Sequence, residues 1–168
     1  GGATIALQWE KWMFPFKVET DIKKEQLASF RKELQSEKGF TWQAFVQAVN
    51  WSIENNTNLD EALKWADNAI SGKYIGEKNF TTLSAKAGRL SLMGKTTEAE
   101  GVMKEAAPLG TMNEVYNYAR QLLAGKKYQQ ASEFFKANYK KYPNTFTTNM
   151  GMVRALSSEA KYKEALKY

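Results

Sequence analysis

The sequence predicts a mostly α-helical protein of about 3.5 stacked helical hairpins, preceded by a short N-terminal β-hairpin. An alanine returns within four similar phrases at spacings of 37, 32 and 34 residues, at Ala62, Ala99, Ala131 and Ala165. A period in this range is typical of stacked helical hairpins. The residues before position 20 instead alternate between apolar and other side chains, which is typical of strands. Hydrophobic residues make up 43% of the 168 residues, so the chain can bury a core.

The first 20 residues are expected to form the β-hairpin. Its apolar side chains alternate with other residues on both sides of a bend at residues 10–13. They are Ile5, Leu7, Trp9, Phe14, Phe16 and Val18. Pro15 restricts the second strand to a sheet edge or an irregular segment, because proline has no N–H to donate. The hairpin needs a covering surface, which the helices, a second copy of the chain or a preceding β domain would supply. We therefore divide the chain into residues 1–20, the remnant or edge of a preceding β domain, and residues 21–168, a helical repeat domain.

From residue 21 the apolar period becomes that of a helix. One helix precedes four helical hairpins, and the chain stops at Tyr168, before the second helix of the last hairpin is complete. Three helix starts show the pattern of a capping box, in which Asn or Thr is followed three residues later by Glu. These pairs are Asn58 with Glu61, Thr97 with Glu100 and Thr111 with Glu114.

The recurring alanines are expected where the two helices of a hairpin cross closely, because a methyl group fits there and a larger side chain does not. Ala87 and Ala119 lie 12 residues before Ala99 and Ala131, at matching places in the preceding helices. The same spacing gives Asn50 as their counterpart in the first hairpin. Asn50 therefore departs from the pattern of small apolar residues.

These phrases resemble the tetratricopeptide repeat (TPR) over residues 40–168. The resemblance is strongest in the third hairpin, in Ala119, Leu122, Tyr128, Ala131, Phe135 and Pro143. It implies a right-handed TPR-like α-α superhelix whose first helices line a concave groove. It also implies ligands that are extended peptides or helices of other proteins. The TPR pattern is degenerate, so other helical-repeat families stay open.

The junction between the hairpin and the helices carries a second resemblance. The segment Phe14-Pro15-Phe16-Lys17-Val18-Glu19-Thr20-Asp21, leading into TPR-like helices, looks like the C-terminal half of an uncharacterised exported bacterial family. Members of that family have an N-terminal β-sandwich domain of unknown function. The resemblance implies that residues 3–20 are the last strands of such a sandwich and that the protein lies in the periplasm or cell envelope.

Composition removes several classes of function. The chain has no Cys and no His, which excludes disulfides, thiolate nucleophiles, and the commonest general base and metal ligand. We therefore expect no catalytic residues, no metal and no cofactor, and a protein that is not an enzyme. No apolar run approaches the roughly 18 residues of a membrane-spanning helix, so we expect no membrane span.

The net charge of +6 is concentrated in the last third of the chain. Residues 112–168 carry 10 basic and 4 acidic residues, whereas residues 1–111 carry 14 of each. This pattern indicates either ordinary solubility or attraction to an acidic partner. Nucleic acid is not expected as a partner, because the lysines at 126–127 and 136–141 would surround an outer helix without a groove-reading motif.

Four candidate partner-binding residues come from the third and fourth hairpins. Arg120 and Arg154 occupy the same place in these two hairpins, one residue after Ala119 and Val153. In TPR proteins that place faces the groove. Asn113 and Tyr116 share a helix face with Arg120, at spacings of three and four. The forked arginine side chain suits carboxylates. The alternative is that both arginines are solvated or paired with Glu.

A fifth candidate is Trp51, which falls off the apolar stripe of its helix together with Trp65. An exposed tryptophan often anchors a partner. The alternative is that both tryptophans pack against the N-terminal hairpin.

These observations predict a non-catalytic protein–protein interaction or scaffolding module that binds a peptide or protein segment, an acidic one if the arginines act, in its concave groove. The alternative is a structural helical cap of an exported β-sandwich protein, with no specific ligand of its own. An exposed hairpin edge would also allow two copies of the chain to form a homodimer.

Overall fold

The computed structural model describes residues 2–168 and confirms the mostly α fold with an N-terminal hairpin. The strands are β1 (Gly2–Trp9) and β2 (Trp12–Glu19). The helices are α1 (Ile22–Glu33), α2 (Trp42–Glu54), α3 (Leu59–Ser71), α4 (Phe80–Leu92), α5 (Thr96–Ala106), α6 (Met112–Ala124), α7 (Tyr128–Lys141), α8 (Phe146–Ser158) and α9 (Tyr162–Ala165). Two short 3-10 helices lie at Glu37–Phe40 and Ala107–Leu109.

The helices after α1 pack in consecutive pairs, in which α2, α4, α6 and α8 are the first helices and α3, α5, α7 and α9 the second helices. First helices also contact each other, α2 against α4 and α6 against α8. One hydrophobic cluster joins the second and third pairs and includes Leu83, Met103, Val115 and Phe135. Successive pairs therefore stack in sequence order, as in a helical repeat.

The recurring alanines occupy one position in this stack. Each is the fourth residue of a second helix. Their exposed fractions are 0% for Ala62, 4% for Ala99, 0% for Ala131 and 7% for Ala165. The prediction that they lie in the helix interface is confirmed, because each methyl group is enclosed by neighbouring helices.

The turn inside each pair has the same backbone geometry. One residue adopts a positive φ, and the N–H of the next residue donates to the carbonyl five residues earlier, which is the Schellman arrangement. The positive-φ residues are Asn56, Gly94, Lys126 and Ala160. The corresponding N–H···O distances are 3.1, 2.9, 2.9 and 2.8 Å. Each first helix thus ends without needing glycine at the same place.

The first turn contains one additional residue, Asn58, which also has a positive φ of 54°. Measured from the end of the first helix, the counterpart of Ala87 and Ala119 is therefore Val49. Val49 is fully buried and Asn50 is exposed. The prediction that Asn50 is this counterpart is wrong, because the 12-residue spacing does not allow for the additional residue in the first turn.

One of the predicted capping boxes is confirmed. The N–H of Glu114 donates to Thr111 Oγ1 at 3.3 Å, and the N–H of Thr111 donates to Glu114 Oε2 at 2.8 Å. The N–H of Thr111 is the first cause of the lowered pKa of Glu114. A further box at Asn79 and Thr82, which the sequence analysis missed, begins α4.

The other two predicted capping boxes are wrong. The side chain of Asn58 accepts no bond from the backbone of α3 and instead donates through Nδ2 to Glu61 Oε2 at 2.8 Å. Helix α5 begins at Thr96 rather than Thr97, and Glu100 accepts a hydrogen bond from Gln130 of α7. These helices follow directly on a tight turn, whose geometry replaces a side-chain cap.

The hairpin has one apolar face. Its register pairs Trp9 with Trp12, so residues paired across the strands have side chains on the same side of the sheet. One side carries Ala3, Val18, Ile5, Phe16, Leu7, Phe14, Trp9 and Trp12. Every residue from 2 to 19 is exposed, with Trp9 at 75% and Trp12 at 69%. The hairpin is therefore not part of the helical core.

Helix α1 covers the tryptophans of the first pair. The ring of Phe30 lies 5.6 Å from that of Trp51 and 6.3 Å from that of Trp65, in edge-to-face geometry. Trp65 is 7% exposed and Trp51 is half-buried. The expectation that these tryptophans pack against the hairpin is wrong, because Phe30 occupies that position.

A buried arginine ties the first pair to the second. Arg89 of α4 is fully buried, and it donates from Nε to the carbonyl of Leu59 at 3.0 Å and from Nη2 to that of Thr57 at 3.2 Å. Burial lowers the pKa of Arg89. The side chain thus satisfies carbonyls at the turn between α2 and α3.

A carboxylate at the end of α8 ties it to α7. Glu159 accepts hydrogen bonds from Ser132 Oγ at 2.5 Å, Lys136 Nζ at 2.5 Å and Lys161 Nζ at 2.7 Å. The bonds from Lys136, Lys161 and Ser132, in that order, lower the pKa of Glu159 to about 2.

We predict that Arg89→Ala lowers the free energy of unfolding by about 2–4 kcal/mol, because it leaves a cavity and two carbonyls without their donor. The measurement is the midpoint of urea unfolding. Arg120→Ala removes an exposed arginine from α6 and serves as the control, with an expected change within about 0.5 kcal/mol. Equal midpoints for the two variants would contradict this role of Arg89.

We also predict a pH-dependent effect of Glu159→Gln. Because the pKa of Glu159 is lower in the folded chain than its ordinary 4.5, its ionised form stabilises the fold above about pH 4.5, and this contribution disappears as the pH falls towards 2. Near neutral pH the variant should have a lower midpoint of urea unfolding than the parent. The difference between the two midpoints should become smaller below about pH 4.5. Glu133→Gln, on the exposed side of α7, is the control and should show no such narrowing. A difference that is constant with pH would refute the prediction.

Candidate functional site

Tyr116 of α6 lies between the two arginines that the sequence analysis selected. Arg154 of α8 donates from Nε to the Tyr116 hydroxyl at 3.3 Å. The guanidinium carbon of Arg120 lies 6.0 Å from the centre of the Tyr116 ring, at the limit of a cation–π contact. The Tyr116 ring is itself fixed by Phe135, whose ring centre is 5.6 Å away. The packing of α6 against α8 therefore brings residues 38 positions apart into one cluster.

Neither arginine of this cluster forms an ion pair within the part of the chain that the structure describes. By contrast, Arg31 pairs with Glu61 at 2.7 Å, and Arg89 is enclosed by backbone carbonyls. Arg120 is exposed and Arg154 is half-buried. Within residues 2–168 neither arginine is paired with Glu, whereas the exposed Arg120 agrees with the solvated form of the alternative. Both guanidinium groups therefore lack a carboxylate partner among the described residues.

Asn113 extends the cluster along α6. It is exposed and lies one helical turn before Tyr116, so its side chain shares a face with Tyr116 and Arg120. Its amide makes no hydrogen bond to any other described residue. The surface formed by Asn113, Tyr116, Arg120 and Arg154, which we call the arginine surface, thus contains three side chains with N–H donors around one aromatic ring.

The fifth candidate, Trp51, does not join the arginine surface. It lies on α2, and its indole faces Phe30 of α1. It lines a separate cleft of about 690 Å³ between α1 and α2. The other residues that line this cleft include amides that the sequence analysis did not select: Gln26, Gln43, Gln47 and Asn50. The sequence does contain part of this arrangement, because the amide residues 43, 47 and 50 follow the spacing of one helix face.

A second cavity of about 550 Å³ lies between α7 and the 3-10 helix after α5. Its walls are mostly apolar and include Pro108, Val115 and Phe134. Lys141 closes one end by donating to the carbonyls of Pro108 and Gly110, at 2.8 and 2.9 Å. This cavity contains none of the residues that the sequence analysis selected.

The described residues also bear on metal binding and on membrane-spanning helices. Among residues 2–168 no cluster of three or more Asp or Glu side chains is arranged to hold a metal ion. Within the same range no helix combines the length and the apolar character that crossing a membrane requires.

No protein-family model, curated protein or solved structure matches this chain.

Proposed function

We propose that this chain is a non-catalytic, TPR-like protein-interaction module that binds an acidic segment of another protein on the arginine surface. The observation that carries the proposal is the pair of guanidinium groups of Arg120 and Arg154, which flank Tyr116 without a carboxylate partner among the described residues. Tyrosine and arginine are both enriched among the hot-spot residues of protein interfaces.

The chemistry of the arginine surface fits a carboxylate-bearing peptide. Each guanidinium can donate two parallel hydrogen bonds to one carboxylate. Asn113 can donate to and accept from a peptide backbone, because its side chain carries both an N–H₂ and a carbonyl. The excess of basic residues after position 111 adds a long-range attraction for an acidic partner.

The proposal also includes the location of the protein and its relation to TPR-like repeats. The resemblance to an exported bacterial family supports a protein of the periplasm or cell envelope. The stacked pairs α2–α3, α4–α5 and α6–α7 are compatible with TPR-like hairpins.

A second candidate function is structural, and a specific observation favours it. The apolar face of the hairpin carries Trp9, Trp12, Phe14 and Phe16 in exposed positions. Patches of this kind mark interaction sites in soluble proteins. In this candidate the face packs on a neighbouring β-sheet, which belongs either to a β-sandwich that the helices cap or to a second copy of the chain.

We predict that reversing both charges, Arg120→Glu with Arg154→Glu, weakens binding of an Asp- and Glu-rich peptide at least tenfold, since charge-assisted hydrogen bonds are lost. The measurement is fluorescence anisotropy of the labelled peptide, with the Asn- and Gln-substituted peptide as the ligand control. The matched protein control is Lys104→Glu with Lys140→Glu, which changes the net charge equally on the second helices α5 and α7. Equal weakening in both double variants would show a net-charge effect only and reject the arginine surface.

For the hairpin we predict that the parent chain self-associates at micromolar concentration. The double variant Leu7→Thr, Phe14→Thr should abolish this self-association. These residues pair across the strands on the apolar face, and threonine keeps the strand propensity. The measurement is sedimentation velocity. The control is Gln8→Thr with Met13→Thr, a cross-strand pair on the opposite face, which should associate like the parent. A monomeric parent chain would reject self-association through the hairpin.

A further inference from the structure

We propose that the cleft between α1 and α2 binds a neutral oligosaccharide. Its volume of about 690 Å³ lies within the usual range of ligand sites. Aromatic rings and amide side chains form most of its lining. This site is separate from the arginine surface and does not depend on the function proposed above.

The aromatic wall of the cleft is held in place before any ligand arrives. The indole of Trp51 packs edge-on against Phe30, with ring centres 5.6 Å apart. The indole N–H of Trp42 donates to Glu77 Oε2 at 2.8 Å. Because both indoles are fixed by these contacts, little conformational entropy is lost when a ligand packs on them. Flat aromatic surfaces of this kind suit the apolar C–H face of a pyranose ring.

The polar wall consists of amides with unused hydrogen-bonding groups. Gln43, Gln47 and Asn50 lie along one face of α2, and Gln26 faces them from α1. None of these four side chains makes a hydrogen bond to another residue in the range 2–168. Each amide can donate and accept, and a sugar hydroxyl has the same dual capacity. Neighbouring hydroxyls on a sugar ring can therefore bind to successive amides along the helix.

The charge of the cleft disfavours an anionic ligand. Among the described residues that line the cleft there is no Lys or Arg, and Glu54 is the one charged side chain. A phosphate, a carboxylate or an acidic peptide would meet no counter-charge here, in contrast to the arginine surface. The Glu54 carboxylate can accept hydrogen bonds from hydroxyl groups.

The test is titration of the ¹⁵N-labelled chain with cellohexaose, maltohexaose and N-acetylated chitohexaose, followed through the indole N–H signals of its five tryptophans. Trp42→Phe and Trp51→Phe assign two of these signals. We expect at least one sugar to shift the signals of Trp42 and Trp51 saturably at millimolar concentration. The signals of Trp9 and Trp12, which are exposed on the hairpin, should not shift. Their constancy would exclude non-specific contact of the sugar with aromatic rings.

Three double variants test whether sugar binding is specific to the cleft. Gln47→Ala with Asn50→Ala should weaken sugar binding at least tenfold while the dispersed amide spectrum shows an intact fold, because both side chains are exposed. Asn117→Ala with Gln121→Ala, an exposed amide pair on α6, should bind like the parent. Arg120→Glu with Arg154→Glu should also bind sugar normally, so failure of the arginine surface would leave this result intact.

Three outcomes would overturn the proposal. The first is that none of the three sugars moves the Trp42 and Trp51 signals, which would leave the cleft as a polar end surface of the stack. The second is equal movement of the hairpin tryptophan signals. The third is undiminished binding by the Gln47→Ala, Asn50→Ala variant.

Discussion

The close approach of paired helices at one alanine per pair is the constraint on which the rest of this structure depends. Each of these alanines is the fourth residue of its helix, and this place is kept even in the first pair, where the turn is one residue longer. A larger side chain there would overpack the interface, at a cost of about 1–3 kcal/mol. The resulting stack places first helices side by side. It therefore lets Arg154 reach Tyr116 across 38 positions of sequence.

The sequence predicted those features that depend on local period. The hairpin follows from alternation, although its turn spans residues 10 and 11 rather than the predicted bend at residues 10–13, because Trp12 pairs with Trp9. The cluster of Tyr116, Arg120 and Arg154 follows from equal places in successive hairpins. The capping boxes at Asn58 and Thr97 failed for a physical reason, since a Schellman turn leads into the next helix without a side-chain cap. The α1–α2 cleft could not be predicted, because the packing of Phe30 on Trp51 joins a helix outside the repeat to one inside it.

The two candidate sites differ in the physical forces that would act in them. On the arginine surface the attraction is electrostatic, so it reaches over several ångströms and weakens with salt, with a Debye length of about 8 Å at physiological ionic strength. In the cleft the contacts are van der Waals packing on indoles and hydrogen bonds to neutral amides, which have little salt dependence. The uneven charge along the chain supports this division, because residues 112–168 hold the whole excess of +6 and the cleft is built from residues before position 82.

The hairpin is joined to the helices by a very short connection. Two residues, Thr20 and Asp21, separate the end of β2 from the start of α1. Two residues span at most about 7 Å. Asp21 also caps α1, because its Oδ1 accepts the N–H groups of Lys23 and Lys24 at 3.1 and 3.2 Å. A β-sheet that covers the apolar face as far as Val18 would therefore lie within a short distance of the start of α1. Covering the apolar face would then restrict the orientation of α1 relative to the covering sheet, because the connection between β2 and α1 is short.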